Sequence, residues 1–188
     1  SASSPPPSPD GDEKAGSASP VQLVIVSDAG QDLDDEMAFI LLSHLVREGL
    51  VHCRAVIANL TPAFARARLL RGTLDVLHLH QIPVGVGTDG GVEAGEDSFS
   101  STAPYIASAT GTRAFLLEPG RLLLLRTFEQ AADRSLTVLL ISSLKDVALF
   151  LRDNEELFVR KTKEVVIMGG AAEAEGADQG AGAGAGGE

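Results

Sequence analysis

Four aspartates fall within the eight residues Asp28-Ala29-Gly30-Gln31-Asp32-Leu33-Asp34-Asp35, and Glu36 follows at once. An apolar run leads directly into them, and a stretch of helical periodicity leads away. Part of this acidity has an ordinary use. Asp32 or Asp34 can cap the helix, and Asp35 and Glu36 interact favourably with its dipole. Capping accounts for two or three acids and leaves Asp28, at the tip of an apolar strand, unexplained. Carboxylates packed together repel one another unless a cation or a proton compensates. On this chemistry alone, a metal site and simple capping stand level. No His or Cys lies nearby, so an all-oxygen site would suit calcium or magnesium. An EF-hand is excluded by spacing: counting from Asp28, Leu33 stands where glycine is required and Phe39 where the bidentate acid is required.

Other patterns carry less chemistry. Gly85-Val86-Gly87-Thr88-Asp89-Gly90 matches G-x-G-x-x-G, but Gly91-Val92-Glu93-Ala94-Gly95 is a poor helix start for a dinucleotide site. It reads instead as a loop beside the acidic turn. Arg66, Arg68 and Arg71 share one helix and read as a solvated face. Ser142-Ser143 lacks a G-x-S-x-G context and a positioned His, which argues against a serine hydrolase. His44, His52, His78 and His80 fall on helices or at a strand entrance and read as structural or surface residues. A phosphoryl-transfer site with Asp28 as nucleophile and magnesium as cofactor is allowed by the acidic turn and required by nothing else.

These residues need elements to hold them. Short apolar runs at 22–27, 53–58, 82–87, 137–142 and 164–168 read as strands apolar on both faces, as in a parallel sheet covered by helices. Segments 35–47, 62–80, 120–134 and 145–152 have helical patterning. Met37, Ile40, Leu41 and Leu45 are expected on one packed face of the first helix. Phe64, Leu69, Leu70, Leu74 and Leu77 are expected to do the same on the second. The alternation predicts an α/β fold, a mostly parallel sheet flanked by helices, with residues 88–112 as a long loop. Ligands bind such folds at the carboxyl ends of the strands, where the acidic turn lies.

The chain has 188 residues and a net charge of −11, from 15 Lys+Arg and 26 Asp+Glu. Residues 1–20 hold six Ser and five Pro, and residues 171–188 hold seven Ala and six Gly. Both are expected to be disordered tails. Together they carry seven acids and one base, or −6, so residues 21–170 carry only −5. The net charge of −11 argues against a general nucleic-acid binder. No apolar run is long enough to cross a bilayer, and no signal peptide is evident. The single cysteine, Cys53, excludes a disulfide framework and favours a reducing, cytoplasmic compartment.

The turn S-D-A-G-Q-D-L-D-D-E-M-A resembles the start of the inosine/uridine-preferring nucleoside hydrolases, whose first strand ends in D-x-D-P-G-x-D-D. Further matches follow in order. Ala58-Asn59 stands for the family's Gly-Asn, and Ile82-Pro83-Val84 for its I-P-V strand. The turn Ile141-Ser142-Ser143-Leu144-Lys145-Asp146-Val147-Ala148 resembles G-P-L-T-N-x-A, and Val165-Val166-Ile167-Met168-Gly169-Gly170 resembles V-x-M-G-G. The resemblance covers the core and about the first half of the family's domain, so the fold it implies is nucleoside hydrolase-like and truncated.

The resemblance implies a calcium ion that holds an attacking water, and cleavage of the N-glycosidic bond of a small-molecule ribonucleoside to base and ribose. Setting Asp28-Ala29-Gly30 on D-P-G makes Asp28 the proton-accepting metal ligand and leaves Gln31-Asp32 as an insertion. The ungapped alternative puts Gly30 on the central Asp and deletes the base. Under the gapped alignment Asp35 is a metal ligand and Asp34 accepts ribose hydroxyls. Asn59 hydrogen-bonds the ribose, and Lys145 offers its backbone carbonyl to the ion. Asp32 is either a further ligand or a helix cap, and Asp146 replaces an Asn that orients the turn. The family's later Asn/Glu-rich segment and His-Asp pair have no counterpart here. That leaves a second reading: a divergent, non-catalytic homologue with the fold and a weak cation site. It also leaves an apolar face and sheet edge that a homo-oligomer would cover.

Overall fold

The computed structural model describes residues 19–30, 33–91 and 117–169. Residues 1–18 of the first expected tail, all of the second, residues 31 and 32, and most of the expected loop 88–112 lie outside the described residues. Among the described residues, six strands and five helices follow in the order β1 (Val21–Ser27), α1 (Asp34–Arg47), β2 (Val51–Ala58), α2 (Ala63–Val76), β3 (Val84–Val86), β4 (Glu118–Pro119), α3 (Gly120–Gln130), β5 (Leu136–Leu140), α4 (Lys145–Asp153), α5 (Glu155–Lys161) and β6 (Thr162–Ile167). The sheet order is β4-β3-β2-β1-β5-β6, and every pairing is parallel. β1 therefore lies inside the sheet, with Val24 opposite Ala55 on one side and Val138 on the other. Its continuous run of apolar side chains, which can be buried on both faces, suits that place.

Alternate residues of β1 and β2 feed two cores. Leu23, Ile25, Val56 and Ala58 pack with Phe39, Leu42, Leu70 and Leu74 of α1 and α2. Val24, Val26, Ala55 and Ile57 pack with Leu123, Phe128, Phe150 and Phe158 of α3, α4 and α5. The α/β architecture expected from the alternation is thus the one observed.

Several details differ from expectation. α1 buries Asp35, Glu36, Phe39 and Leu42, while Met37, Ile40 and Leu41 are 62%, 51% and 57% exposed. The helix carries apolar residues on most sides, so periodicity could not choose its buried face. The hydrogen bond from Ser27 Oγ to Asp35 Oδ1 helps fix it. On α2, Phe64 is exposed whereas Arg66 and Arg71 are buried, so the arginine cluster is not a solvated face. Arg71 reaches the carbonyls of Leu79 and Ile82, which satisfies its donors inside the protein. α2 stops at Val76 because His78 takes a left-handed conformation and the Leu79 amide turns back to the Leu74 carbonyl. β6 was expected to be covered on both faces; Val165, Val166 and Ile167 are instead exposed at the sheet edge.

α3 begins flush against β3. A Cβ on Gly85 would lie 2.7 Å from the Gly120 Cα, and a Cβ on Gly120 would lie 2.9 Å from the Val86 carbonyl oxygen. Both contacts are with backbone, which cannot swing away. Gly120→Ala is therefore expected to cost about 1–3 kcal/mol through overpacking. The urea midpoint measures this; an unchanged midpoint would refute the close packing.

Candidate active site

Because the sheet is parallel, the carboxyl ends of all its strands open on one side. There Asp28, Asp34 and Asp35 line a cleft of about 260 Å³ with Ser142 and Ser143, between apolar walls of Leu60, Ile141 and Met168. Asp28 leaves the end of β1, and Asp34 and Asp35 open α1. Asp34 is exposed, Asp35 is 4% exposed, and the Asp35 carboxylate accepts the Ser27 hydroxyl at 2.6 Å.

Burial raises the Asp35 pKa to about 7; the Ser27 bond opposes the shift, and neighbouring Asp28, Asp34 and Glu36 add to it. The Asp28 pKa is also raised, first by burial and further by Asp34. A hydrogen bond with Ser142 and the charge of Arg66 hold it back. Both acids thus carry the mark of crowded negative charge in a partly dry place.

Under the cleft lies a closed polar frame. Asn59 is fully buried. Its amide donates to the Ser143 carbonyl and to Asp146 Oδ2, each at 2.9 Å, and its Oδ1 accepts the Ser142 hydroxyl. Asp146 also accepts from the amide and the hydroxyl of Thr88, both at 2.8 Å. The ends of β2, β3 and β5 are thereby tied together. Gly87 is needed in this frame, since a Cβ there would lie 2.9 Å from the Ala58 oxygen, from Asn59 Cβ and from Asp146 Oδ1. The Ser143 hydroxyl holds the Gly90 carbonyl at 2.7 Å, and the Lys145 ammonium pairs with Asp89.

Asp28, Asp34 and Asp35 are thus brought together. Asn59 sits beneath the cleft with both amide hydrogens used inside the protein. Lys145 opens α4, where helix geometry turns its carbonyl along the axis. Asp32 lies outside the described residues. The four histidines are exposed, and none lines the cleft.

Two site features were missed by sequence reasoning. Arg66 donates through one guanidinium nitrogen to the Asp28 and Ala29 carbonyls. The available signal was its place on the buried stripe with Leu70 and Leu74, at i, i+4 and i+8. Thr88 joins the frame through Asp146; no pattern in the sequence marks it.

Carboxylate oxygens suit a hard cation, and the raised acids of the cleft would be relieved by one. Among the described residues, however, no three His, Cys, Asp or Glu side chains close on a point that could hold a metal ion. The donor chemistry is that of a hard cation such as calcium or magnesium, and the described acids share an opening without forming a full shell. Also among the described residues, no helix is long and apolar enough to cross a membrane.

No protein-family model matches the chain, and a search of curated proteins finds no match. Solved structures do match. The type III effector protein XopQ, complexed with adenosine diphosphate ribose, superposes with a TM-score of 0.67 at 22% identity, over 85% of this chain and 46% of that one. The effector protein XOO4466 gives 0.72 at 20% identity, over 83% and 45%. The plant nucleoside hydrolase PpNRh1 gives 0.63 at 17% identity, over 81% and 48%. The chain thus spans just under half the length of each neighbour, and across that span its fold is nucleoside hydrolase-like.

Proposed function

We propose that the cleft binds the ribosyl group of a ribonucleoside and takes part in hydrolysing its N-glycosidic bond. One observation carries this reading: Asp28, Asp34 and Asp35 line a single cleft at the strand ends of a nucleoside hydrolase-like fold. Asp28 is the proton acceptor, since a carboxyl raised by burial is better matched to taking a proton from water near neutral pH. Asp34 accepts hydrogen bonds from ribose hydroxyls. Asn59 acts from below by fixing Ser142, which faces the cleft. Asp28 and Asp35 are the residues that would hold calcium, with Asp32 as a further oxygen donor, while the Lys145 carbonyl, turned along α4 away from the cleft, is not among them; the ion when bound would supply Lewis acidity toward water. The carboxylates also favour the positive charge that develops on the sugar as the base departs.

A second reading is a non-catalytic ribosyl-binding protein. The open arrangement of the acids among the described residues favours it, as does the ADP-ribose held by one structural neighbour.

Incubation with inosine, uridine or adenosine, with and without calcium, separates the two when free base is measured by chromatography. Release of base that falls about 100-fold or more in Asp28→Asn is the expected result. Undiminished release in that variant would overturn the role of Asp28. Saturable binding of ADP-ribose without base release would establish the second reading instead.

A further inference from the structure

We infer that Arg66 is a positioning residue of the cleft: its buried guanidinium holds the backbone where β1 turns toward α1, and so sets the direction in which Asp28 enters the cleft. The inference deepens the reading above, since it takes Asp28 as the working carboxylate, but its geometry stands independently.

Arg66 is 1% exposed and lies in the first turn of α2. One terminal nitrogen donates to the Asp28 and Ala29 carbonyls. Its Nε donates to the Thr61 carbonyl at 3.3 Å. One planar group therefore grips two connections, the one that leaves β1 and the one that leaves β2. Both border the cleft, through Asp28 and Leu60. Backbone carbonyls in such a turn must find donors when they are shielded from water. Here the donor comes from another element, so the turn is fixed relative to α2 and not only to itself. Ala29 is buried beside it, and Gly30 adopts a φ of 104° that allows the chain to leave sharply. A lysine could carry the charge but not the fork. Its single ammonium has no rigid geometry with which to hold both connections at once.

Arg66→Lys and Arg66→Met test this with two readouts. The first is the backbone amide NMR spectrum. Both variants are expected to shift resonances of residues 28–30 and 60–61, while those of the Asn59–Asp146–Thr88 frame keep their positions. The second is steady-state hydrolysis of the nucleoside found to be cleaved. The kcat is expected to fall about tenfold or more, with KM changed by less than about threefold, because a misdirected carboxylate loses alignment and not substrate contact. Lysine is expected to restore the melting temperature without restoring kcat. Full rescue of kcat and of the turn resonances by lysine would overturn the inference, since charge alone would then suffice. Should Arg66→Met not fold, Arg66→Lys carries the test. Should the wild-type chain cleave no nucleoside, the proposed function fails while the NMR readout still decides the positioning.

Discussion

Asp146→Ala is expected to destabilise the protein by about 2–4 kcal/mol, because one deletion strands a buried donor on Asn59 and two partly buried donors on Thr88. Asp146 is buried and accepts from the Thr88 amide, the Thr88 hydroxyl and the Asn59 side chain. Alanine removes both carboxylate oxygens and with them all three hydrogen bonds, in a place where Gly87 lies close against the same carboxylate. A loss of this size is a large share of the ~5–15 kcal/mol available to an ordinary domain. Asp146→Asn separates geometry from deletion. Its amide oxygen can still accept, but its own NH2 faces donors, so about half the loss is expected. Urea denaturation of the three proteins is the measurement. A loss below about 1 kcal/mol in the alanine variant would mean that the frame contributes little.

The second large effect is a stability that falls as pH rises. Asp35 has its pKa raised from 3.8 to about 7. The folded protein therefore binds a proton between those values that the unfolded chain does not. This contribution is fully present below about pH 4 and is lost as pH climbs through about 7. One such proton gives a slope near −1.4 kcal/mol per pH unit within the window, and a total on the order of 4 kcal/mol. Asp28, also raised, adds in the same direction. Asp35→Asn is expected to flatten the profile and to be more stable than the parent at pH 8, since an amide oxygen can still accept the Ser27 hydroxyl. Calcium that occupies the cleft would stabilise the parent at pH 8 and do little at pH 5, where protons already quench the acids. Urea midpoints across pH 4–8, with and without calcium, check both statements. A flat profile for the parent would refute the crowded-acid account.

The sheet was legible because its strands are short apolar runs set between longer helical periods, and Val24, Val56 and Val138 stand where such runs predict. What escaped was local. Glu118 and Pro119 form a strand only by pairing with Gly85 and Val86, a tertiary fact with no periodicity behind it. α5 was missed because Asn154, at φ −142°, breaks a helical stretch into two. The buried face of α1 was misjudged because Met37, Ile40 and Leu41 are as apolar as Phe39 and Leu42. Hydropathy cannot rank faces that are alike. In the site, the acidic turn declared itself by charge. Asn59 was found by position, but its spent donors were visible only in three dimensions, as was the burial of Arg66.

The place of β1 between β2 and β5 also sets an order of assembly. β1 and β2 can pair as soon as α1 connects them, but Val24 meets Val138 only across more than a hundred intervening residues. Asn59 likewise waits for Asp146, 87 residues later. Such long loops must be closed before their contacts repay the lost entropy, which slows folding. During synthesis, Asp28 and the rest of the acidic turn therefore emerge well before β5 and α4 can enclose them. The cleft is a late product of folding, and a chain halted before β5 would present β1 as an open edge.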